Sequence, residues 1–291
     1  DVAKLILGAI EISSRSVRFC VADVGSTSSA RLTERFHTIK ARPENLERLT
    51  AILMAEAEAA REMGVERLEV TAGADLRGTR LAQQLDRVCQ SVGARRLRIP
   101  SVREESAAVF AGVTVPDLEH QGERVAVALV GERHVSIAVG KGGSVPQWMA
   151  TRPIGSVAMT DKARFSDPPR PAQLDAAISA ATRQITTLMP PDFNRLLVAG
   201  QTPAVVERLC GSRFDADGAR RGIDSILGLN AHDVSAWFGS PVGLSRLLPA
   251  TLIAHAALAG GLDAEVEPVA WEPVAGRRWQ EHVAAGSREQ V

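Results

Sequence analysis

Two apolar, β-branched runs open the chain, Leu5 to Glu11 and Val17 to Val24, joined by Ile12-Ser13-Ser14-Arg15-Ser16. Such a pair around a small polar segment predicts a β-hairpin with residues 12–16 at its tip. After Pro43, Leu46, Leu49, Leu53 and Ala57 recur at three- and four-residue spacing, which predicts a helix ending near Gly64. A short strand at Leu68 to Thr71, a helix at about Thr79 to Val92, a strand at Arg96 to Ile99 and a helix at Glu104 to Gly112 follow. The design then repeats. Arg124 to Val130 and Val135 to Val139 make a second apolar pair around Gly131-Glu132-Arg133-His134. A strand at Gln147 to Pro153, a helix at Gln173 to Leu188 and a strand at Arg195 to Ala199 come next, the last running into Gly200-Gln201-Thr202. Helices at Ala204 to Cys210, Ala219 to Leu227, Ala231 to Phe238 and Leu247 to Ala259 complete a helix-rich end. The polar stretch from about Glu265 is expected to be a loosely packed tail.

Alternating strands and helices of this kind predict an α/β fold. At 291 residues the chain exceeds one ordinary domain, so two are expected. They are placed at 1–118 and 119–264, with the late helix, about 247–260, a candidate to pack back on the first and 265–291 as the tail. Lys and Arg (34) balance Asp and Glu (34), so the overall field gives no reason to expect nucleic-acid or membrane binding, and any anion site must be local. No apolar run approaches the length of a spanning helix, and Lys4 interrupts Val2 to Ile10, so neither a membrane segment nor a signal peptide is predicted and a cytoplasmic location is the default. Cys20, Cys89 and Cys210 are widely separated and odd in number, which suits core residues rather than disulfides or a metal motif. Six scattered histidines show no ligand spacing, and no nucleophile elbow or P-loop is present.

Residues 152–169, from Arg152-Pro153-Ile154-Gly155-Ser156 to Asp167-Pro168-Pro169, resemble the segment "LPLGAVRLTERF…DPP" of the exopolyphosphatase and guanosine pentaphosphate phosphatase (Ppx/GppA) family. Ser101 to Val113, containing Glu104-Glu105, is similar to the family's "SGxEEARLxxxGV". Thr71-Ala72-Gly73-Ala74-Asp75-Leu76-Arg77 resembles its "ATSAxR", and Ser245 to Ala250 its late "R…PAG". The resemblance covers roughly residues 5 to 260. It implies a two-domain actin-like ATPase (ribonuclease H-like) fold with an interdomain cleft, in which loops at the hairpin tips offer backbone N–H groups to a phosphate chain. Polyphosphate or guanosine penta/tetraphosphate is the implied ligand, with Mg²⁺ or Mn²⁺ as the implied cofactor of any hydrolysis and a homodimer allowed.

On that resemblance Glu105 is the candidate general base, and Ser14, Arg15, Ser16, Arg77, Gly131, Gly200 and Thr202 are candidate phosphate-binding residues. Glu11 is the candidate metal ligand, matching the family's loop aspartate with one more methylene. The loops depart from the family pattern. Where the family reads Asp-Ile-Gly-Ser-Asn-Ser, this chain reads Glu11-Ile12-Ser13-Ser14-Arg15-Ser16. Where it reads Asp-Ile-Gly-Gly-Gly-Ser-Thr-Glu, this chain reads Leu129-Val130-Gly131-Glu132-Arg133-His134-Val135-Ser136. Leu129 cannot ligate a metal, and Glu132 puts negative charge where phosphate would lie. Two outcomes stay open: a phosphatase-like protein that binds such a ligand with hydrolysis weak or lost, and a noncatalytic regulator or assembly subunit that binds a protein partner.

Overall fold

The computed structural model describes residues 5–24, 29–73, 76–94, 96–115, 117 and 120–270. They form two compact units, one through Ala108 and one from Val109 onward, so the division falls before the 118/119 boundary expected from the sequence.

In the first unit β1 (Leu5–Ile12) and β2 (Ser16–Val24) pair antiparallel with Ile12 opposite Val17, which makes the expected hairpin. β3 (Ser29–Thr38) continues antiparallel on β2. After helix α1 (Leu46–Glu62), β4 (Arg67–Ala72) returns parallel to β1, so the order is β3-β2-β1-β4. β3 is not evident from the pattern because it is an edge strand whose described positions include Glu34, Arg35 and His37 rather than an apolar run. Helix α2 (Arg80–Ser91) follows, N-capped by Thr79, whose hydroxyl accepts from the Ala82 N–H at 3.1 Å. Leu49 and Leu53 of α1 and Leu81, Leu85 and Cys89 of α2 share a core with Ile10, Ile12, Phe19 and Val70. The strand expected at 96–99 is reduced to one parallel bridge, Arg98 to Thr71. Helix α3 (Val102–Thr114) then leads into the second unit.

The second unit repeats the plan. β5 (Arg124–Val130) and β6 (Val135–Lys141) form a hairpin, β7 (Trp148–Arg152) extends it, and helices α4 (Ser156–Ala163) and α5 (Pro171–Thr186) precede β8 (Arg195–Gly200), which runs parallel to β5. Then come α6 (Pro203–Cys210), α7 (Ala216–Ser225), α8 (Ala231–Phe238), α9 (Val242–Ser245), α10 (Leu248–Leu262) and β9 (Val266–Val269), giving the order β7-β6-β5-β8-β9. A three-strand antiparallel meander continued by parallel strands is, in both units, the ribonuclease H-like arrangement expected.

One expectation is corrected. The tail does not begin at 265: Val266 is fully buried and β9 pairs parallel with β8. Arg195 locks it there, with Nε and Nη2 donating to the Glu267 carboxylate at 3.1 and 2.8 Å and Nη1 donating to Asp117 at 3.0 Å. The rest of that tail, 271–291, lies outside the described residues, as do Ala74 and Asp75 of the "ATSAxR"-like segment. The late helix belongs to the second unit. Every residue of α10 from Leu248 to Ala259 is buried, and it packs on α4, α5 and α7 in the core of the second unit. Among the described residues no helix is long and apolar enough to cross a membrane.

Candidate functional site

The first hairpin tip is closed by the Ser13 N–H donating to the Ser16 carbonyl at 2.8 Å. The carbonyls of Ser14 and Arg15 accept from Ala41 and Ile39, each at 3.0 Å, and Gly73 donates to Ile12 at 2.9 Å. The tip carrying Ser14, Arg15 and Ser16 is therefore braced by the segment after β3 on one side and by the end of β4 on the other. Arg77 follows that end of β4, and its guanidinium donates to the Ile99 carbonyl at 2.8 Å, which fixes the side chain against residues 96–99.

The two adjacent glutamates of α3 separate into different roles. Glu104 caps the helix: its carboxylate accepts from the Ser101 N–H at 2.7 Å and the Ser101 hydroxyl at 2.9 Å, while its own N–H donates to that hydroxyl at 3.2 Å. The Ser101 N–H, the Ser101 hydroxyl and the Arg98 guanidinium together hold its carboxyl below the usual range. Glu105 is exposed on the first turn, and its backbone N–H donates to the Ser101 carbonyl at 2.9 Å.

Glu11 lies on β1 directly opposite Arg18 of β2, so both side chains project from the same face of the sheet. Arg18 Nη1 is 3.6 Å from Glu11 Oε2, and Arg18 Nε donates to Glu34 Oε1 at 2.6 Å. Burial alone would lower the Arg18 pKa, but the Glu11 and Glu34 carboxylates outweigh it and hold the guanidinium above its ordinary value.

In the second unit the Gly131 N–H closes its own turn on the His134 carbonyl at 3.0 Å. The carbonyls of this tip cap α4: Ser156 donates to Gly131 at 3.0 Å, and Val157 and Ala158 donate to Glu132 at 2.9 and 3.1 Å. Gly155 makes the approach possible, since a Cβ there would meet Glu132 and Arg133 backbone atoms at 2.5 Å. Gln201 Nε2 donates to Glu132 Oε1 at 3.4 Å, so Glu132, standing where the family pattern has a glycine, is bridged to a third loop, Gly200-Gln201-Thr202. Gly200 ends β8, and Thr202 sits at the N-cap of α6 without a side-chain capping bond. Leu129 packs against the apolar cluster that includes Phe110 and Val127, and Ser136 opposite it is buried.

No protein-family model and no curated protein matches the chain. Solved structures do. The crystal structure of the Aquifex aeolicus member of the Ppx/GppA protein family is similar with a TM-score of 0.77 at 17% identity, over 97% of this chain and 99% of that one. An exopolyphosphatase from Cytophaga hutchinsonii is similar at 0.76 and 12% identity, over 93% and 96%. An exopolyphosphatase-like protein reaches 0.75 at 17%, over 96% and 98%. The chain has the Ppx/GppA fold. Identities this low establish the fold and leave the chemistry to the residues.

Against the Ppx/GppA pattern, the described residues do not fit a divalent metal. Such an ion needs several convergent oxygen ligands. Among the described residues no three His, Cys, Asp or Glu side chains gather to hold one, and Glu11 already faces a guanidinium. The cysteines offer no alternative nucleophile. Cys20 and Cys89 are buried, burial and then Asp86 push the Cys89 thiol up to about 12, and burial pushes Cys210 up to about 11. Arg18 and Glu34 were missed as site residues. The hairpin register would have placed Arg18 across from Glu11, whereas Glu34 depends on β3, which has no apolar signature.

Proposed function

We propose that this chain is a divergent Ppx/GppA-type protein that binds polyphosphate or a phosphorylated guanosine nucleotide, with phosphoanhydride hydrolysis weak or lost. The observation that carries this reading is the whole-length fold match at 0.77 to a Ppx/GppA structure of nearly equal extent. Ser14, Arg15 and Ser16 at the braced first tip supply hydroxyls and a guanidinium suited to phosphate oxygens, and Arg77 adds a second fixed guanidinium. Glu105, exposed on the first turn of α3, is the candidate to orient an attacking water. Weak or absent turnover is the expectation where Leu129 replaces a loop carboxylate and no acidic cluster gathers among the described residues, since phosphoryl transfer relies on cations to neutralise developing charge.

The Glu132–Gln201 contact favours the second reading, a noncatalytic regulator or assembly subunit that binds a protein partner. It fills the second and third loops with side chains and sets a carboxylate against any anion. The test is phosphate release from long-chain polyphosphate and from guanosine pentaphosphate, with Mg²⁺ or Mn²⁺, beside Glu105→Ala. We expect little or no release with ligand binding retained. Metal-dependent release that disappears in Glu105→Ala would make the chain a working phosphohydrolase, and absence of both release and binding would favour the partner-binding reading.

A further inference from the structure

The divalent ion implied by the loop pattern would have to sit at Glu11, and the structure has put another cation there. Arg18 stands opposite Glu11 in the β1–β2 register, with Nη1 at 3.6 Å from Oε2. Its other edge forks onto Glu34, Nε and Nη2 both lying 2.6 Å from Oε1, and the guanidinium stacks 5.7 Å from the centroid of the Phe36 ring. The Arg18 side chain is only 12% exposed, so this is a packed arrangement and not a surface pair. A divalent ion on Glu11 would require further oxygen ligands within about 2.6 Å. It would also share the carboxylate with a fixed positive charge. We propose that the Arg18 guanidinium is the built-in counter-cation of Glu11, so that anion binding at the first hairpin tip needs no divalent metal there.

A guanidinium does this work differently from an ion. It does not deprotonate in the physiological range, chelators cannot remove it, and its planar fork is hydrogen-bonded to Glu34 while one end stays within ion-pair distance of Glu11. The charge beside the first tip is therefore permanent, set by β2 and β3 rather than by metal supply. It supports ligand binding, but unlike a metal ion it supplies no exchangeable coordination site for a phosphoryl oxygen.

Two measurements on the chelator-treated full chain decide the matter. The first is independent of any phosphate ligand: the EPR signal of free Mn²⁺ with protein in excess, for wild type and Glu11→Gln. We expect wild type to leave the Glu11 site empty, so that the two proteins give the same free signal. A loss of signal persisting in Glu11→Gln would put the ion elsewhere and keep Glu11 with Arg18. A loss restored by Glu11→Gln would overturn the proposal. The second rests on the phosphate-binding reading and needs no variant. The affinity for polyphosphate should agree within about twofold with and without EDTA, and binding abolished by EDTA would overturn the proposal. Absence of polyphosphate binding under both conditions would fail the functional reading alone, and the Mn²⁺ measurement would still judge Arg18.

Discussion

Gly155→Ala tests whether the second hairpin tip is built as described. The Gly155 backbone, φ −67° and ψ 162°, suits alanine, so any cost must come from the added Cβ. That atom would lie 2.5 Å from the Glu132 carbonyl carbon and oxygen and from the Arg133 carbonyl carbon. Relaxed carbon contacts lie at about 3.5–4.0 Å, so the tip must move by about 1 Å. No flexible side chain can absorb the shift, because all three atoms are backbone. Overpacking of this kind costs about 1–3 kcal/mol, and displacement would loosen the Ser156, Val157 and Ala158 bonds to the tip, worth about 1 kcal/mol each. A loss of about 2–4 kcal/mol should lower Tm by about 4–12 °C. Gly200→Ala is the control: its Cβ would meet Val130 atoms no nearer than 3.6 Å, an ordinary contact, and removing a glycine from a strand should be neutral or stabilising by up to about 1 kcal/mol. Differential scanning fluorimetry on both variants suffices. If Gly200→Ala costs as much as Gly155→Ala, the packing of the tip on α4 has been misread.

Glu132→Gln should bind polyphosphate more tightly: removing one like charge about 4 Å from a phosphate is worth about 1 kcal/mol even in water, about fivefold in Kd, and unchanged affinity would place the ligand away from this loop. Glu56 is 2% exposed and holds His37 at 2.6 Å and Arg35 at 3.0 Å, both of which stay solvent-accessible, so Glu56→Ala should cost about 1–2 kcal/mol in urea denaturation, and no loss would show the cluster to be unimportant. His255 is fully buried, and burial lowers its pKa to about 4. Because the unfolded chain takes up this proton first, stability falls as pH drops from about 6.5 towards 4, by about 2 kcal/mol at pH 5, and His255→Leu should lose that dependence in thermal melts. Hydrogen bonds from Arg195 lower the Glu267 carboxyl. At Asp117 partial burial is outweighed by bonds from His120 and Arg195. Both contributions are present above the ordinary carboxylate range and lost as pH falls through the lowered values, so Arg195→Gln should flatten the stability curve at acid pH.

The sequence carried the repeated hairpins because both pairs are apolar runs with small polar tips, and α1 because Leu49, Leu53 and Ala57 keep helical spacing. It hid β3 and β9 for one reason: each lies at a sheet edge, where polar residues such as Glu34 and Glu267 are stable and periodicity fades. α4 was read as a motif and not as a helix, since its start is capped by the carbonyls of a distant turn rather than by a local side chain. The bond that ties α8 to the "DPP" segment was equally invisible, Asp167 accepting from the Ala231 N–H at 2.9 Å across sixty-four positions, whereas the helix's own cap, Asn230, is local. At the candidate site the losses at Leu129 and Glu132 were legible residue by residue, but their replacements were not. That Gln201 reaches Glu132, and that Arg18 answers Glu11, are facts of strand register and loop proximity that no short motif encodes.

A phosphate site at the first hairpin tip that binds without efficient hydrolysis is open to isothermal titration of the full chain with polyphosphate of defined length, comparing wild type with Arg15→Ala. Saturable binding that Arg15→Ala weakens is expected, with the injected chain recovered intact. Absence of binding by folded wild type, or affinity indifferent to Arg15, would contradict it.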